Sequence, residues 1–320
     1  MDMSRIWRQA ISGFGRVGVL MGGPSSENKI SLKSGFAVLR ALKESGIRAF
    51  PVIVKNDRVK DNIFLLKSKS IDCAFIALHG RFGEDGGIQR ILSKLKIPYT
   101  GSGIKASELA MDKVASRNIF KRNGLHVPDF KVINKKNSGI DNMRGLRYPF
   151  VVKPALTGSS IGISIADSYK KLLVAVKLAF KFDSRVIIEE YIEGRELTVG
   201  ILEDKPLPII EIIPKRHFFD YQAKYRHGLT DYIVPAKLSP KAGIEVKKVA
   251  LLAHRLLGCF GCSRVDIILD SKSRPFILEV NTIPGFTSTS LLPKAAKKAG
   301  ISFNNLCIRL IRLAYEKTQG

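Results

Sequence analysis

Cysteine is scarce in this chain, which has 4 in 320 residues. Cys259 and Cys262 form a C-x-x-C pair, but a zinc site needs a second pair of ligands at suitable spacing, and the sequence has none. Cys73 lies in an apolar strand-like run and Cys307 in an amphipathic helical run, where buried free thiols are the usual finding. We therefore predict four structural thiols, a composition that agrees with a reducing cytoplasm.

Long apolar runs are absent as well. No stretch reaches the roughly eighteen apolar residues of a membrane-spanning helix, so we expect no membrane segment. Residues 1–23 carry scattered arginines and lack both a continuous apolar core and a clear cleavage site, which argues against a signal peptide. The 45% hydrophobic content is ample for a large core in two or three subdomains.

Acidic residues are few, since 28 Asp and Glu stand against 53 Lys and Arg, a net charge of +25. Such a charge is typical of nucleic-acid-binding proteins. This class remains an alternative, which nucleic acid retained at moderate salt after nuclease treatment would support. The lysines, however, are spread over the whole chain without a long basic block or a basic-aromatic RNA-binding signature. We interpret them as a basic surface that attracts small anionic ligands, and we expect no nucleic-acid partner.

Three oxygen-bearing side chains near the C-terminus are the strongest functional signal. Asp266 lies in the run SRVDIILD (263–270), and Glu279 and Asn281 lie in RPFILEVN (274–281). A polar turn joins the two runs, which predicts an antiparallel hairpin. Because strand side chains alternate between faces, Glu279 and Asn281 share a face, and Asp266 can face them from the partner strand. Hard oxygen ligands of this kind suit Mg²⁺ bound together with substrate phosphates.

Solvated polar strand ends are the alternative for this trio, and they explain Asp266 alone equally well. The apolar neighbours, however, make both strands look buried on both faces. A carboxylate in such a strand needs a partner, which favours the metal-site interpretation.

Segment 282–293 follows the hairpin directly and predicts an anion site. Pro284-Gly285 is a turn signal, and Gly285 allows a backbone amide to approach a ligand closely. Ser290 and Leu291 then open a helix, whose first amides bind anions.

Segment 148–162 has the composition of a second phosphate-binding element. An apolar strand ends in Lys153, and a loop rich in glycine and hydroxyl groups follows, which can fold over phosphates. The lysine precedes the glycines and no helix follows directly, so this is not a Walker loop. Alone, the segment fits a plain flexible hairpin equally well.

The first third of the chain alternates strand and helix patterns. Residues 16–23 and 71–80 predict buried strands, and residues 29–44 predict a helix. The apolar face of that helix is formed by Leu32, Phe36, Leu39 and Leu42. Such alternation implies a largely parallel sheet, with ligands beyond the carboxyl ends of its strands, here at 22–27 and 79–86.

Later segments predict one further helical stretch, from Ile104 to Asn123, and two mixed units of strands and helices. The second of these units contains an irregular segment, 216–238, that is aromatic, basic and longer than most connections. Long loops inside a compact domain are usually lids or functional loops.

Seven motifs occur in an order that is far more specific than any of them alone. They are HGRFGEDG (79–86), MDK (111–113), VVKPALTGSSIG (151–162), IIEEYIEGRELTVGIL (187–202), FFDYQAKY (218–225), RVDIILD (264–270) and LEVNTIPGFTSTSLLP (278–293). From about Val17 to about Leu313 the chain resembles the D-alanine–D-alanine ligases of the ATP-grasp superfamily. Phe219 and Gln222 stand where that family often carries tyrosine and glutamate.

The resemblance implies an α/β (α+β) ATP-grasp fold with three subdomains. These are an N-terminal α/β substrate-binding domain (1–103), a central subdomain (104–190) and a C-terminal subdomain (191–320) with the metal site and a lid at 216–238. The nucleotide is then held between the central and C-terminal units. The first dozen residues look like an extension of the family pattern.

The implied reaction consumes ATP and two molecules of D-alanine. ATP phosphorylates the carboxylate of the first D-alanine, and the amine of the second attacks the acyl phosphate to give D-alanyl-D-alanine, a peptidoglycan precursor. The resemblance further implies a cytoplasmic homodimer without nucleic-acid or membrane partners.

Nucleotide and metal roles follow from the same motifs. The resemblance implies that two Mg²⁺ or Mn²⁺ are held by Asp266, Glu279 and Asn281. Lys113 and Lys153 pair with the phosphates and nucleotide, and Lys224 adds charge at the γ-phosphate. The implied adenosine slot uses Glu189 for the adenine amino group, backbone groups of Glu190 and Ile192, stacking by Tyr191, and Glu196 for the ribose. Glu190, Tyr191 and Ile192 also fit as ordinary strand-end residues.

Substrate roles are implied in the same way. Glu27 binds the first ammonium, although it also fits as a first-turn carboxylate of a helix. Arg264 and the Gly285 amide stabilise the oxyanion, and Ser290 with the Leu291 amide holds the second carboxylate. The implied link between the phosphate loop and the lid consists of Ser159 and Tyr225. His79 orients the first substrate or is simply a hydrogen-bonded loop histidine.

A D-alanine–D-lactate ligase is the nearest alternative. Position 225 discriminates between the two activities, because phenylalanine there favours the depsipeptide. Tyrosine is present, which favours the dipeptide.

Overall fold

The computed structural model describes residues 13–136, 143, 146–158, 161–214 and 230–317. Its strands are β1 (Val17–Gly22), β2 (Ala49–Val54), β3 (Cys73–Ile76), β4 (Phe130–Asn134), β5 (Phe150–Pro154), β6 (Ser164–Ala166), β7 (Arg185–Glu190), β8 (Gly194–Leu202), β9 (Lys205–Pro206), β10 (Ile210–Pro214), β11 (Thr230–Ile233), β12 (Cys262–Asp270) and β13 (Pro275–Asn281). Its helices are α1 (Asn28–Glu44), α2 (Val59–Lys69), α3 (Gly87–Lys94), α4 (Ile104–Met111), α5 (Lys113–Arg122), α6 (Tyr169–Ala179), α7 (Pro240–Leu256), α8 (Leu291–Lys298) and α9 (Phe303–Glu316).

The N-terminal sheet is parallel, as predicted, with the order β2-β1-β3. Strand β1 is buried along its whole length because it lies in the middle of this sheet. Strand β2 was not predicted, because Pro51 interrupts the run AFPVIV. Helix α2 was not predicted either. An edge strand tolerates proline because half of its amides face outward, and β2 is such an edge.

Helix α1 covers the predicted range, but one residue of its predicted apolar face is not buried. Leu39 and Leu42 pack in the core, whereas Phe36 is 50% exposed. Leu32, on the same predicted face, is only partly buried, so the buried face is narrower than the pattern predicts.

The predicted helical stretch 104–123 is two helices, because Asp112 stands at an extended backbone position with ψ 97°. Its carboxylate accepts hydrogen bonds from the amides of Val114 and Ala115, which caps α5. The break places Lys113 at the first position of α5.

The central sheet is antiparallel, with the order β4-β7-β5-β6 and α6 packed on it. The C-terminal sheet has the order β11-β10-β8-β12-β13, with β9 beside β8. Its predicted hairpin is confirmed, since β12 and β13 pair antiparallel.

Segment 216–238, predicted as irregular throughout, contains strand β11. Thr230 pairs with Pro214 of β10, and Ile233 with Glu211. Strand β11 thus adds an edge strand to the C-terminal sheet. Residues 215–229 lie outside the described ranges, and the lid remains a prediction.

The three sheets each lie inside one predicted domain, but two helix groups do not follow the boundaries. Helices α8 and α9 pack their apolar faces against the core of the N-terminal sheet, and α4 and α5 contribute Ala110 and Phe120 to the core under the C-terminal sheet. The boundaries at 103 and 190 stay a prediction.

All four cysteines are free thiols, as predicted. Burial raises the pKa of Cys73, Cys259 and Cys262 to about 12, so these thiols stay protonated and unreactive. No group of three His, Cys, Asp or Glu side chains within the described ranges is arranged to hold a metal ion. Among the same residues, no helix is long and apolar enough to cross a membrane.

Candidate active site

The predicted metal trio lies together on one face of the β12–β13 hairpin. Asp266 stands directly opposite Glu279 in the register, and Asn281 lies two residues further along β13. The Asn281 side-chain amide donates to the Asp266 carboxylate at 3.1 Å and to Glu279 at 3.5 Å. The sequence-based prediction that these three side chains meet is confirmed, and their metal role stays a prediction.

A β-bulge sets the direction of Glu279. The register passes from the Asp266–Glu279 pair to the Ile267–Ile277 pair, so Leu278 is the extra residue. Ile277 and Val280 are therefore buried in the core while Glu279 and Asn281 lie on the opposite, half-buried face. The expectation that both strands are buried on both faces was wrong, because the carboxylate-bearing face is the wall of the site.

Asp266 has the partners that a carboxylate in this position requires. Arg264 donates from Nε at 2.9 Å and from Nη2 at 2.7 Å, and the Thr198 hydroxyl donates at 2.6 Å. The buried Arg264 guanidinium is thereby fixed beside the trio. Thr198 was not predicted, because its contact with Asp266 spans 68 residues of sequence.

A buried cationic cluster lies beside the metal trio. Lys153 Nζ is 2.7 Å from Glu189 Oε1, and Arg117 pairs with Glu189 Oε2. Lys113 donates to the Thr157 carbonyl at 2.7 Å and lies 3.8 Å from Glu279 Oε2. Lys113 thus joins the phosphate-type loop to the metal trio.

Arg117 was not predicted as a site residue. The signal available was its spacing, since it lies four residues after Lys113 and therefore on the same face of α5. Nothing in the sequence identified Glu189, 72 residues away, as its partner.

The charges of this cluster do not cancel. Burial and, after it, the nearby Arg117 guanidinium lower the pKa of Lys153 to about 8. Burial acts to raise the pKa of Glu189, but Arg117 and Lys153 outweigh it and hold that pKa below its usual range. Lys153 and Arg117 together outweigh the single charge of Glu189, and this net positive charge in a buried place suits a phosphate ligand.

Lys153 gives the first prediction, which concerns proton uptake. A triphosphate bound beside Lys153 favours the charged ammonium and raises its pKa above the value of about 8 found without ligand. At a pH above this pKa, the protein is expected to take up a fraction of a proton when it binds ATP. The measurement is titration calorimetry in two buffers that differ in ionisation enthalpy.

Lys153→Arg is the control for this uptake, because a guanidinium stays protonated throughout this pH range. It should bind ATP with the same heat in both buffers, after correction for the difference in affinity. Equal heats in both buffers for the parent protein would remove Lys153 from the phosphate site.

The predicted adenosine residues lie at the end of β7 and in β8. The Glu190 amide donates to the Asp129 carbonyl, and the Arg147 amide donates to the Glu190 carboxylate at 3.2 Å. Tyr191 is 36% exposed, and Ile192 is half-buried. Glu196 pairs in β8 with Ile212 and Ile268 of its neighbours. The exposed Tyr191 ring leaves room for stacking, and the roles of these residues stay predictions.

Glu27 stands at the N-cap of α1, with its side chain 93% buried and not capping the helix. A methyl group built on Gly80 would come within 2.8 Å of Glu27 Oε2, and one built on Gly158 within 3.6 Å. The carboxylate therefore lies between the 79–86 loop and the phosphate-type loop. This position is compatible with both the substrate role and the helix-terminus alternative, and the substrate role stays a prediction.

His79 is fully hydrogen-bonded within the protein. Its Nδ1 donates to the Ile283 carbonyl at 3.2 Å, which leaves Nε2 to accept from the Ser34 hydroxyl at 3.0 Å. The Phe286 amide donates to the same Ser34 oxygen at 3.3 Å. His79 thus fixes both sides of the Pro284-Gly285 turn, which accords with the alternative of a hydrogen-bonded loop histidine.

Gly285, Ser290 and Leu291 lie where the sequence predicts. Helix α8 begins at Leu291 with Ser290 as its N-cap. The Ser290 hydroxyl accepts from the Thr287 amide at 3.1 Å and bonds the Thr287 hydroxyl at 2.8 Å. Thr287 was not predicted, although the hydroxyl-rich run FTSTS was the available signal.

Three predicted site residues lie outside the described ranges: Ser159, Lys224 and Tyr225. Their roles stay predictions.

Comparison with known proteins identifies the family of the chain. Residues 57–102 match the family described as D-ala D-ala ligase N-terminus, and residues 119–312 match D-ala D-ala ligase C-terminus. A D-alanine–D-alanine ligase of Pelotomaculum thermopropionicum is 45% identical over 94% of this chain and 97% of its own length. One from Geobacter sulfurreducens is 43% identical over 95% of this chain and 96% of its own length.

Solved structures agree with the same family and confirm the ATP-grasp fold. The D-alanine–D-alanine ligase of Bacillus anthracis complexed with ATP has a TM-score of 0.84 at 34% identity, over 95% of this chain and 99% of that one. The VanG D-Ala:D-Ser ligase of Enterococcus faecalis has a TM-score of 0.81 at 29% identity, over 94% and 99%. The chain therefore belongs to the D-alanine–D-alanine ligase family.

Proposed function

We propose that this protein uses ATP to join two molecules of D-alanine into D-alanyl-D-alanine, through an acyl phosphate on the first. The observation that carries the proposal is the meeting of three groups in one place. The metal trio, the buried cations and the phosphate-type loop are joined by Lys113, which lies 3.8 Å from Glu279 and bonds the Thr157 carbonyl.

The donor set of the trio fits Mg²⁺ or Mn²⁺, because two carboxylates and an amide carbonyl offer hard oxygen ligands. Asp266, Glu279 and Asn281 would hold the ions. Bound ions would neutralise the negative charge on the phosphate oxygens. The Asn281 side-chain nitrogen donates to both carboxylates. The side-chain amide would therefore have to turn over for its oxygen to bind an ion.

The other site residues work by position and charge, which is what phosphoryl transfer mainly requires. Lys113 and Lys153 bind the phosphates and balance their charge. Glu27, buried at the start of α1, binds the ammonium of the first D-alanine.

The carboxylate of the first D-alanine takes the γ-phosphoryl group and releases ADP. The amine of the second D-alanine then attacks the acyl carbon, and phosphate leaves. Arg264 and the Gly285 amide stabilise the oxyanion that forms at that carbon. The Ser290 hydroxyl and the first amide of α8 hold the carboxylate of the second D-alanine.

We assign the remaining residues from the same family. Glu189, Glu190, Tyr191, Ile192 and Glu196 form the adenosine slot. Ser159, Lys224 and Tyr225 connect the phosphate loop with a lid. The product serves peptidoglycan synthesis in the cytoplasm.

A homodimer is part of the proposal. Phe36 on α1 and Phe64 on α2 are 50% and 76% exposed, and they are available for an apolar contact between two copies of the chain. Light scattering on the purified chain measures its mass in solution, which distinguishes a dimer from a monomer.

Phosphate release from ATP with D- and L-amino acids, supplied singly and in pairs, tests the function. Release is expected with D-alanine and not with L-alanine, and a chelator should abolish it. Mass spectrometry should find D-alanyl-D-alanine. A product formed from D-alanine with D-lactate or D-serine, in preference to the dipeptide, would assign one of the alternative ligase activities. No release with any amino acid would contradict the proposal.

A further inference from the structure

We propose that Arg117 is a positioning residue that aligns the metal strand with the phosphate-binding lysines. The inference rests on the proposed function and extends it to a residue that touches neither metal nor substrate. It follows from three observations: the burial of Arg117, the two acceptors that it joins, and the β-bulge at Leu278.

Arg117 is the largest fully buried side chain among the described residues, with 1% exposure. It lies on α5, with its guanidinium over the Phe130 ring at 5.5 Å. One arm pairs with Glu189 of the central sheet, and Nη2 donates at 3.3 Å to the Leu278 carbonyl of the C-terminal sheet. A single guanidinium therefore connects the two sheets that enclose the nucleotide site.

The Leu278 carbonyl belongs to the residue that forms the bulge. Without the extra residue, Ile277 and Glu279 would point to the same face, because side chains two apart in a strand do so. With it, Ile277 is buried in the core while Glu279 points into the site. Bulges re-aim side chains, and a hydrogen bond to the bulge carbonyl holds that change in place.

The other arm of Arg117 acts on the phosphate side. Glu189 accepts from Arg117 with one oxygen and from Lys153 with the other, at 2.7 Å for Lys153. Arg117 therefore fixes the carboxylate that fixes Lys153. Movement of Arg117 would displace Lys153 and Glu279 together.

Stability alone does not explain this arginine. Its Nε is buried and has no acceptor among the described residues. Removing one partner of a buried ion pair usually destabilises a protein, because the other charge is left without compensation. A methionine at position 117, however, would leave Glu189 paired with Lys153, so Arg117→Met is expected to fold with a lower melting temperature.

The test compares Arg117→Met and Arg117→Lys with the parent and with Arg122→Met, an exposed arginine of the same helix. The Mg²⁺ concentration for half-maximal rate and the KM for ATP are measured together with the KM for D-alanine and the melting temperature. Loss of a residue that orients a metal ligand typically weakens metal affinity by about 10- to 100-fold. We expect a rise of that size for Mg²⁺ and ATP in both Arg117 variants, with a much smaller change for D-alanine.

Lysine should not rescue the variant, because a compact ammonium cannot reach Glu189 and the Leu278 carbonyl as the forked guanidinium does. If the Arg117→Met variant fails to fold, the same measurements on Arg117→Lys test the proposal. Unchanged Mg²⁺ and ATP dependence in a folded variant would overturn the proposal. An equal loss in every kinetic constant, in step with a lower melting temperature, would assign Arg117 a structural role. An inactive parent would instead contradict the proposed function.

Discussion

Glu279→Gln is expected to abolish ATP turnover while the fold survives. Glutamine has nearly the same shape, but it removes a negative charge from a site that binds divalent cations. Removal of a single oxyanion-hole donor from an enzyme lowers kcat by about 10²- to 10³-fold, and we expect the loss of a metal ligand to reach at least that range. The rate of phosphate release from ATP at ordinary Mg²⁺ concentration measures this loss of turnover.

The stability of this variant should stay close to that of the parent. The Glu279 side chain is 26% exposed and lies 3.8 Å from Lys113, which keeps its bond to the Thr157 carbonyl in the variant, so the loss of stability should be modest. Glu245→Gln, at an exposed glutamate of α7, is the matched control and should change neither rate nor melting temperature. Normal turnover by Glu279→Gln would remove the metal assignment.

Strongly periodic segments could be predicted from the sequence. Helix α1 and the β12–β13 hairpin appear where the patterns indicate, because one apolar face dominates each element. Weak or interrupted patterns could not be read in the same way. Proline conceals β2, and Asp112 divides what looks like one helix into two.

Strand β11 shows a different limit of prediction. TDYI has no apolar alternation, and pairing with β10 at the sheet edge is what makes it a strand. Such pairing depends on tertiary context, which a local pattern does not contain.

The candidate site likewise has a part that local sequence patterns predict and a part that depends on tertiary structure. Asp266, Glu279 and Asn281 could be placed together because a hairpin has only one simple register and strand faces alternate. The bulge at Leu278 changes that register locally without a sequence signal, and it makes the expected two-sided burial wrong.

Long-range partners form the part that could not be predicted. Arg117 meets residues 72 and 161 positions away, and Ser34 meets Phe286 across 252 positions. Single motifs identify the groups that touch ligands, because their chemistry is specific. The residues that orient those groups are selected by packing, which is visible only after the chain has folded.

Arg264→Met should slow dipeptide formation more than acyl-phosphate formation. If the Arg264 guanidinium stabilises the oxyanion formed by amine attack, its removal should lower kcat by about 10²- to 10³-fold, the range for one lost oxyanion donor.

Rapid-quench measurements should then show an initial burst of ADP followed by slow dipeptide synthesis. Arg264 also bonds Asp266 through Nε and Nη2, so its removal has a second route of action, through the metal trio.

The two effects differ in their kinetics, which makes the burst decisive. Loss of Asp266 alignment would slow the first chemical step, and the burst would disappear, whereas loss of the oxyanion donor alone leaves it intact. Thr198 and Asn281 still bond Asp266 in the variant, which favours a preserved burst. Arg274→Met is the matched control, since Arg274 pairs with Asp270 of the same hairpin at 2.8 Å but is exposed, and it should keep the parent's rate. If Arg264→Met slows ADP formation and dipeptide formation equally, Arg264 acts through Asp266 rather than on the oxyanion.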